Sequence, residues 1–218
     1  MKAKVYLEVT KRRTFACAVD WPGWCRAGKT EDEALDALLE YGTRYKKALG
    51  KTADKLEVPA SRADVEVVER LKGNATTEFG APGVIADLDR AAVTDKQLDD
   101  LFELLDDAWQ AFARAARKAE GKTLAPSGPR GGGRSRSKMV DHVAEADGAY
   151  VRAVGGKVDG GSDWKSVQKA MREACVARAH GELPEKGPRG GDRWPARFAI
   201  RRSAWHALDH AWEIEDRL

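Results

Sequence analysis

Arg202-Ser203-Ala204-Trp205-His206-Ala207-Leu208-Asp209-His210-Ala211-Trp212-Glu213 places two histidines four residues apart inside an apolar helical pattern. Four residues is about one turn of helix, so both imidazoles leave the same side and can grip one metal ion. A third histidine, His142, lies in a separate amphipathic stretch, Met139-Val140-Asp141-His142-Val143-Ala144-Glu145-Ala146. The chain has only 4 histidines in 218 residues. Three of them where helix packing can converge them make a facial metal site the leading expectation, with zinc, nickel or ferrous iron as the divalent ion. Glu213 shares the helix face of His206 and His210. Its expected roles are to orient an imidazole, to act as a catalytic base, or to complete the coordination.

Outward from that helix, everything from about residue 94 reads as helical. Thr94 and Gln97 form a capping-box pair before Leu98, Leu101, Phe102, Leu105, Trp109 and Phe112. A second helix carries Met139, Val143, Ala146 and Tyr150 and stops at Gly155-Gly156. Ser162 or Asp163 caps a third, with Trp164, Val167, Met171, Ala174 and Cys175 inward. The fourth runs from about Arg197 to the end. Each apolar stripe must find a partner, so the economical arrangement is an up-and-down four-helix bundle over residues 94–218. The helices of His142 and of His206 and His210 are then parallel.

A repeat adds to this. Gly128-Pro129-Arg130-Gly131-Gly132-Gly133-Arg134 and Gly187-Pro188-Arg189-Gly190-Gly191-Asp192-Arg193 are near copies, one before each histidine-bearing helix. In a parallel arrangement both loops rim the metal pocket. Arg130, Arg134, Arg189 and Arg193 are then expected to bind an anionic small-molecule substrate or thiol cofactor. The competing reading is a pair of flexible, solubilising loops.

The first region has a different periodicity. Val5, Leu7 and Val9 alternate with polar residues, as do Phe15, Cys17 and Val19, with Lys11-Arg12-Arg13 between them, the pattern of a β-hairpin. After Pro22-Gly23, Thr30 and Glu33 form a capping box. Ala34, Leu35, Leu38, Leu39, Tyr45 and Leu49 then recur at helical spacing up to Gly50. Val65 to Arg70 is a further strand. The fold class is therefore α+β, with a small antiparallel-sheet domain over 1–75, a connection over 76–93 and the helical domain after it.

Composition excludes several classes. The net charge of +3 hides a balance of −2 over residues 1–121 and +5 over 122–218. That excess is far too small to imply non-specific nucleic-acid binding but can bias a cleft toward a small anion. Cys17, Cys25 and Cys175 are odd in number and fit no CxxC pattern, which reads as reduced thiols in a soluble, cytoplasmic protein. No apolar run approaches membrane-spanning length. No Walker loop, dinucleotide fingerprint or serine nucleophile elbow occurs. His180, beside Gly181 at a helix end, suits the helix dipole rather than a metal.

Two resemblances follow from these motifs. The two strands, Pro-Gly turn and Ala27-Gly28-Lys29-Thr30-Glu31-Asp32-Glu33-Ala34-Leu35 before an amphipathic helix resemble the HicB-like antitoxin fold over residues 3 to 72. That family neutralises a small toxin ribonuclease and usually carries a DNA-binding tail. No ribbon-helix-helix or helix-turn-helix signature follows here, so the implied use is docking to a protein partner or homodimerisation. Residues 94–218 resemble the DinB-like superfamily through Val140-Asp141-His142-Val143-Ala144-Glu145-Ala146 and Trp205-His206-Ala207-Leu208-Asp209-His210. The resemblance implies a divalent metal on His142, His206 and His210. It also implies a metal-dependent transferase or isomerase using a low-molecular-weight thiol. A metal-dependent hydrolase and a non-enzymatic, metal-responsive regulator are the alternatives.

Overall fold

A computed structural model describes residues 2–126, 133–161 and 163–218. The chain divides into two compact units, Met1–Ala91 and Ala92–Leu218. Together they make a mixed α+β protein, with a four-stranded sheet and helices.

In the first unit, β1 (Ala3–Val9) and β2 (Thr14–Ala18) form the expected antiparallel hairpin. Its turn is fastened by Thr10 Oγ1, which accepts from the Arg13 amide at 3.0 Å. A short strand that periodicity could not reveal, β3 (Cys25–Gly28), continues the sheet beside β2. Thr30 then caps α1 (Glu31–Glu40), its hydroxyl accepting from the Glu33 amide at 3.2 Å. The helix does not run on to Gly50. It breaks at Tyr41, and α2 (Gly42–Ala48) starts at a glycine. A Cβ on Gly42 would lie 2.4 Å from Val58 Cγ1 and 3.1 Å from Trp24 Cζ2, so only glycine allows this approach.

β4 (Val65–Lys72) pairs with β1 in parallel, giving the order β3-β2-β1-β4. The sheet is mixed, not antiparallel as expected. After β3 the chain crosses through α1 and α2 to the opposite edge and enters β4 in the direction of β1.

The cysteine expectation also fails for one pair. Cys17 and Cys25 face each other in the β2–β3 register with Cα atoms 4.1 Å apart and are joined as a disulfide. The pairing was hidden because it depends on the register of the unrecognised β3. Cys175 is a free, buried thiol whose pKa burial pushes up to about 12.

Residues 76–93, expected as a connection, include most of α3 (Ala75–Phe79) and all of α4 (Asp87–Arg90). The buried Glu8 carboxylate of β1 accepts from the Gly83 amide at 2.9 Å, the Val84 amide at 3.2 Å and Thr77 Oγ1 at 3.1 Å. A buried carboxylate needs such donors, and here they fold the segment onto the first unit.

The second unit holds α5 (Asp95–Lys118), α6 (Arg136–Val154), α7 (Trp164–Ala179) and α8 (Ala196–Asp216). The Thr94–Gln97 capping box, the Asp163 cap and left-handed Gly155 all stand where the sequence put them. Ser162 lies outside the described residues. The inward face of α6 differs by one position, since Asp147 is buried and Ala146 only half-buried.

The expected up-and-down order does not hold. Arg197 at the head of α8 donates to Gln97 at the head of α5, and Arg217 at its tail to Ala125 beyond the end of α5, so α5 and α8 are parallel. Arg136 at the head of α6 donates to Ala116 near the end of α5, while Ala153 near its tail accepts from Trp194 just before α8. Helix α6 is therefore antiparallel to both. His180, at the end of α7, meets Asp95 at the head of α5, so α7 runs with α6. Residues 155–161 return along α6, past Gly148, before α7 starts in the same direction. Among the described residues no helix is long and apolar enough to cross a membrane.

Candidate metal centre

The antiparallel pairing of α6 and α8 brings the three histidines together. His142 leaves the second turn of α6, while His206 and His210 leave successive turns of α8. Each offers a ring nitrogen, and these atoms all lie within 4.8 Å of one another, close enough to bind one metal ion. The ring centroids are 4.9 Å apart for His142 and His206, 5.1 Å for His142 and His210, and 4.7 Å for His206 and His210. His206 and His210 are buried and His142 is half-buried.

The donor chemistry fits a divalent cation. His142 Nε2 and His206 Nε2 face each other at 3.1 Å, near the roughly 3.3 Å that separates nitrogens on a tetrahedral ion with bonds of about 2.0–2.1 Å. Metal ligation needs neutral imidazole, and the surroundings of His142 and His206 favour it. Burial drives the His206 pKa down to about 2, with the charges of His210, Arg202, His142 and Arg134 acting in the same direction. Burial, then the charge of Arg134, also lowers that of His142. His206 Nδ1 is buried and, among the described residues, has no hydrogen-bond partner.

Glu213 stands behind His210. Its Oε2 lies 2.9 Å from His210 Nδ1, and an ionised carboxylate only accepts, so Nδ1 is the donor and Nε2 is the nitrogen left to a metal ion. The His210 hydrogen bond, reinforced by Arg217, holds the Glu213 carboxyl below the usual range despite partial burial. Of the three roles expected for Glu213, orienting an imidazole is the one this geometry matches.

The four loop arginines separate. Arg130 lies outside the described residues. Arg134 is exposed, directly before the Ser135 cap of α6, and its backbone carbonyl accepts from Arg217 at 3.0 Å. Arg189 and Arg193 line a cavity of about 500 Å³ with Ala153 and Trp194, and Arg193 Nη1 donates to Arg152 O at 2.6 Å. That is the far end of α6, ten residues or about 15 Å of helix from His142. Arg134 and the second loop thus sit at opposite ends of α6. The expected shared rim fails because it required parallel helices. His180 lies outside the cluster, with its Nε2 2.7 Å from Asp95 Oδ1.

Sequence reasoning missed two groups. Arg217, the C-cap of α8, is buried and uses three donors: Nε to Ala125 O at 2.7 Å, and Nη1 to Arg134 O at 3.0 Å and to Glu213 Oε1 at 2.8 Å. Its spacing of four from Glu213 was the available signal. The other is Asp147, which accepts from Trp109 Nε1 and Trp164 Nε1 at 3.1 Å and from Ser203 Oγ at 2.6 Å. Burial lifts its pKa to about 6 against those three donors. It ties α5, α6, α7 and α8 together beside the histidine layer.

No family model, no curated protein and no solved structure matches the chain.

Proposed function

We propose that the second unit is a DinB-like four-helix metal-binding domain and works as a metal-dependent thiol transferase or isomerase on a small anionic or electrophilic substrate. The observation that carries this reading is the convergence of three imidazoles from two helices, with Nδ1 of His210 held by Glu213. His142, His206 and His210 would hold zinc, nickel or iron. When bound, such an ion supplies Lewis acidity that favours the ionised form of a thiol or water at neutral pH. The chain itself contributes His142 and His206, whose neutral forms burial favours, a carboxylate that orients His210, and the exposed charge of Arg134 for an anionic group. The first unit is proposed as a HicB-like docking or homodimerisation domain. Its strand order, its capped α1 and the Pro-Gly turn before β3 support that part of the reading.

Metal content by mass spectrometry, on protein purified without an affinity tag or added metal, tests this directly. About one equivalent of metal, lost in folded protein carrying His142→Ala, His206→Ala and His210→Ala, followed by turnover with a small thiol and an electrophile, is the expected result. A wild type that takes up no zinc or nickel even when offered an equimolar amount overturns it.

A further inference from the structure

Metal ligands of the imidazole type are aimed by whatever binds the second ring nitrogen, and here that partner is itself held from several directions. Glu213 accepts from His210 through Oε2 and from Arg217 through Oε1, at 2.9 Å and 2.8 Å. Its two oxygens therefore face opposite tasks and neither is free to swing. Arg217 is fixed in turn, since Nε donates to Ala125 O at 2.7 Å and the Ala125 amide donates back to Arg217 O at 2.7 Å. The remaining proton of Nη1 goes to Arg134 O at 3.0 Å. A guanidinium can do this because its donors lie in one rigid plane, whereas a lysine in its place offers a single point of attachment.

The same side chain thus ties together three things: the carboxylate that orients His210, the segment leaving α5 at Ala125, and the segment entering α6 at Arg134. His142 lies two turns into that helix. Helix capping alone does not account for the arrangement, because two of the three accepting groups lie outside α8.

We propose that Arg217 and Glu213 are positioning residues for the histidine centre: Arg217 locks Glu213, Glu213 holds His210 through Nδ1, and the lock is complete only when Ala125 and Arg134 are docked on Arg217. This rests on the reading of the histidines as a metal centre. Metal affinity is then coupled to the docking of Ala125 and Arg134, although neither residue is among the three histidines.

The test uses the full chain, with cobalt and zinc as probes, and the variants Glu213→Ala, Glu213→Gln, Arg217→Ala and Arg217→Lys. Far-UV circular dichroism and thermal midpoints check folding. Long-range proton–nitrogen NMR reads the His210 tautomer without metal, and chelator competition reads affinity. A single Nδ1–H tautomer is expected in the wild type, with mixed tautomers and affinity lowered ten- to hundredfold in Glu213→Ala and Arg217→Ala. Glu213→Gln, which keeps one acceptor, is expected to fall between, and Arg217→Lys to restore the charge without restoring the tautomer. Wild-type tautomer and affinity in all four variants, with only the thermal midpoint lowered, overturns the assignment and leaves Arg217 a helix-end staple. A wild type that binds neither probe overturns the metal reading, and the assignment with it.

Discussion

His142 Nε2 and His206 Nε2 face each other across 3.1 Å from helices that run in opposite directions. A hydrogen bond between them uses one lone pair and one proton, whereas a shared cation uses both lone pairs and relieves their repulsion. Added zinc or nickel is therefore expected to raise the unfolding temperature of the wild type, with a stabilisation of about 2.7 kcal/mol at a hundredfold excess over Kd. His206→Ala removes one of the three converging imidazoles and is expected to abolish the shift. Scanning calorimetry of both proteins, with and without metal, decides the matter; equal shifts would place the ion elsewhere.

Asp147 gives the second unit a pH dependence whose sign follows from burial. Its folded pKa of about 6 lies above the ordinary 3.8, so the folded state holds a proton that the unfolded chain releases between those values. The stabilisation is complete below about pH 4 and is lost as the pH rises through about 6, amounting to about 3 kcal/mol. Asp147→Asn removes the titration. Its carbonyl can stand where Oδ2 accepts from both tryptophans, and its amide can donate to Ser203. Denaturant titrations at pH 4 and pH 7 should show the wild type losing stability relative to Asp147→Asn. Parallel stability at both values would refute the shift. Asp147→Ala strands the buried donors and should cost about 1–3 kcal/mol for each at either pH.

The histidine cluster was legible because helix periodicity is local: the His206–His210 spacing fixes a shared face without knowledge of the rest. The helix ends were legible for the same reason, through Thr94 and Gln97, Asp163 and Gly155. Helix direction was not, because nothing local shows that residues 155–161 double back along α6. One wrong direction then misplaced both Arg189 and Arg193. The Cys17–Cys25 pair and the mixed sheet failed similarly, since strand register and crossover are long-range properties. Asp147 was obscured by its type, because a carboxylate on an inward stripe is read as a break in the pattern until its donors on other helices are known.

The passage from β3 into α1 leaves no space at Gly28. A Cβ there would stand 2.4 Å from the Ala34 backbone nitrogen and 2.6 Å from Glu33 Cβ. Backbone cannot yield as a flexible side-chain end can, so Gly28→Ala should destabilise the first unit by about 3 kcal/mol, at the upper end of typical overpacking. Gly160 meets nothing within 4 Å, and Gly160→Ala should be close to neutral. Chemical denaturation of the two variants separates the cases, and comparable midpoints would count against the close approach.

Arg134 and Arg193 close matching copies of one short motif, yet their surroundings differ. Arg193 donates to Arg152 O at 2.6 Å, and its guanidinium packs on Gly187, where a Cβ would lie 3.3 Å from Cζ. Arg193→Ala should therefore cost about 1–2 kcal/mol through the lost charged hydrogen bond and leave metal affinity unchanged. The exposed Arg134 side chain lies close enough for its charge to bear on His142 and His206. Arg134→Ala keeps the backbone carbonyl that accepts from Arg217, so stability should hold within about 0.5 kcal/mol. Binding of small carboxylates or phosphate to the metal-loaded protein should weaken several-fold in that variant, most clearly at low salt. Calorimetric titration of such an anion into both variants reads the division directly. Equal weakening by Arg193→Ala would mean that the far loop reaches the site after all.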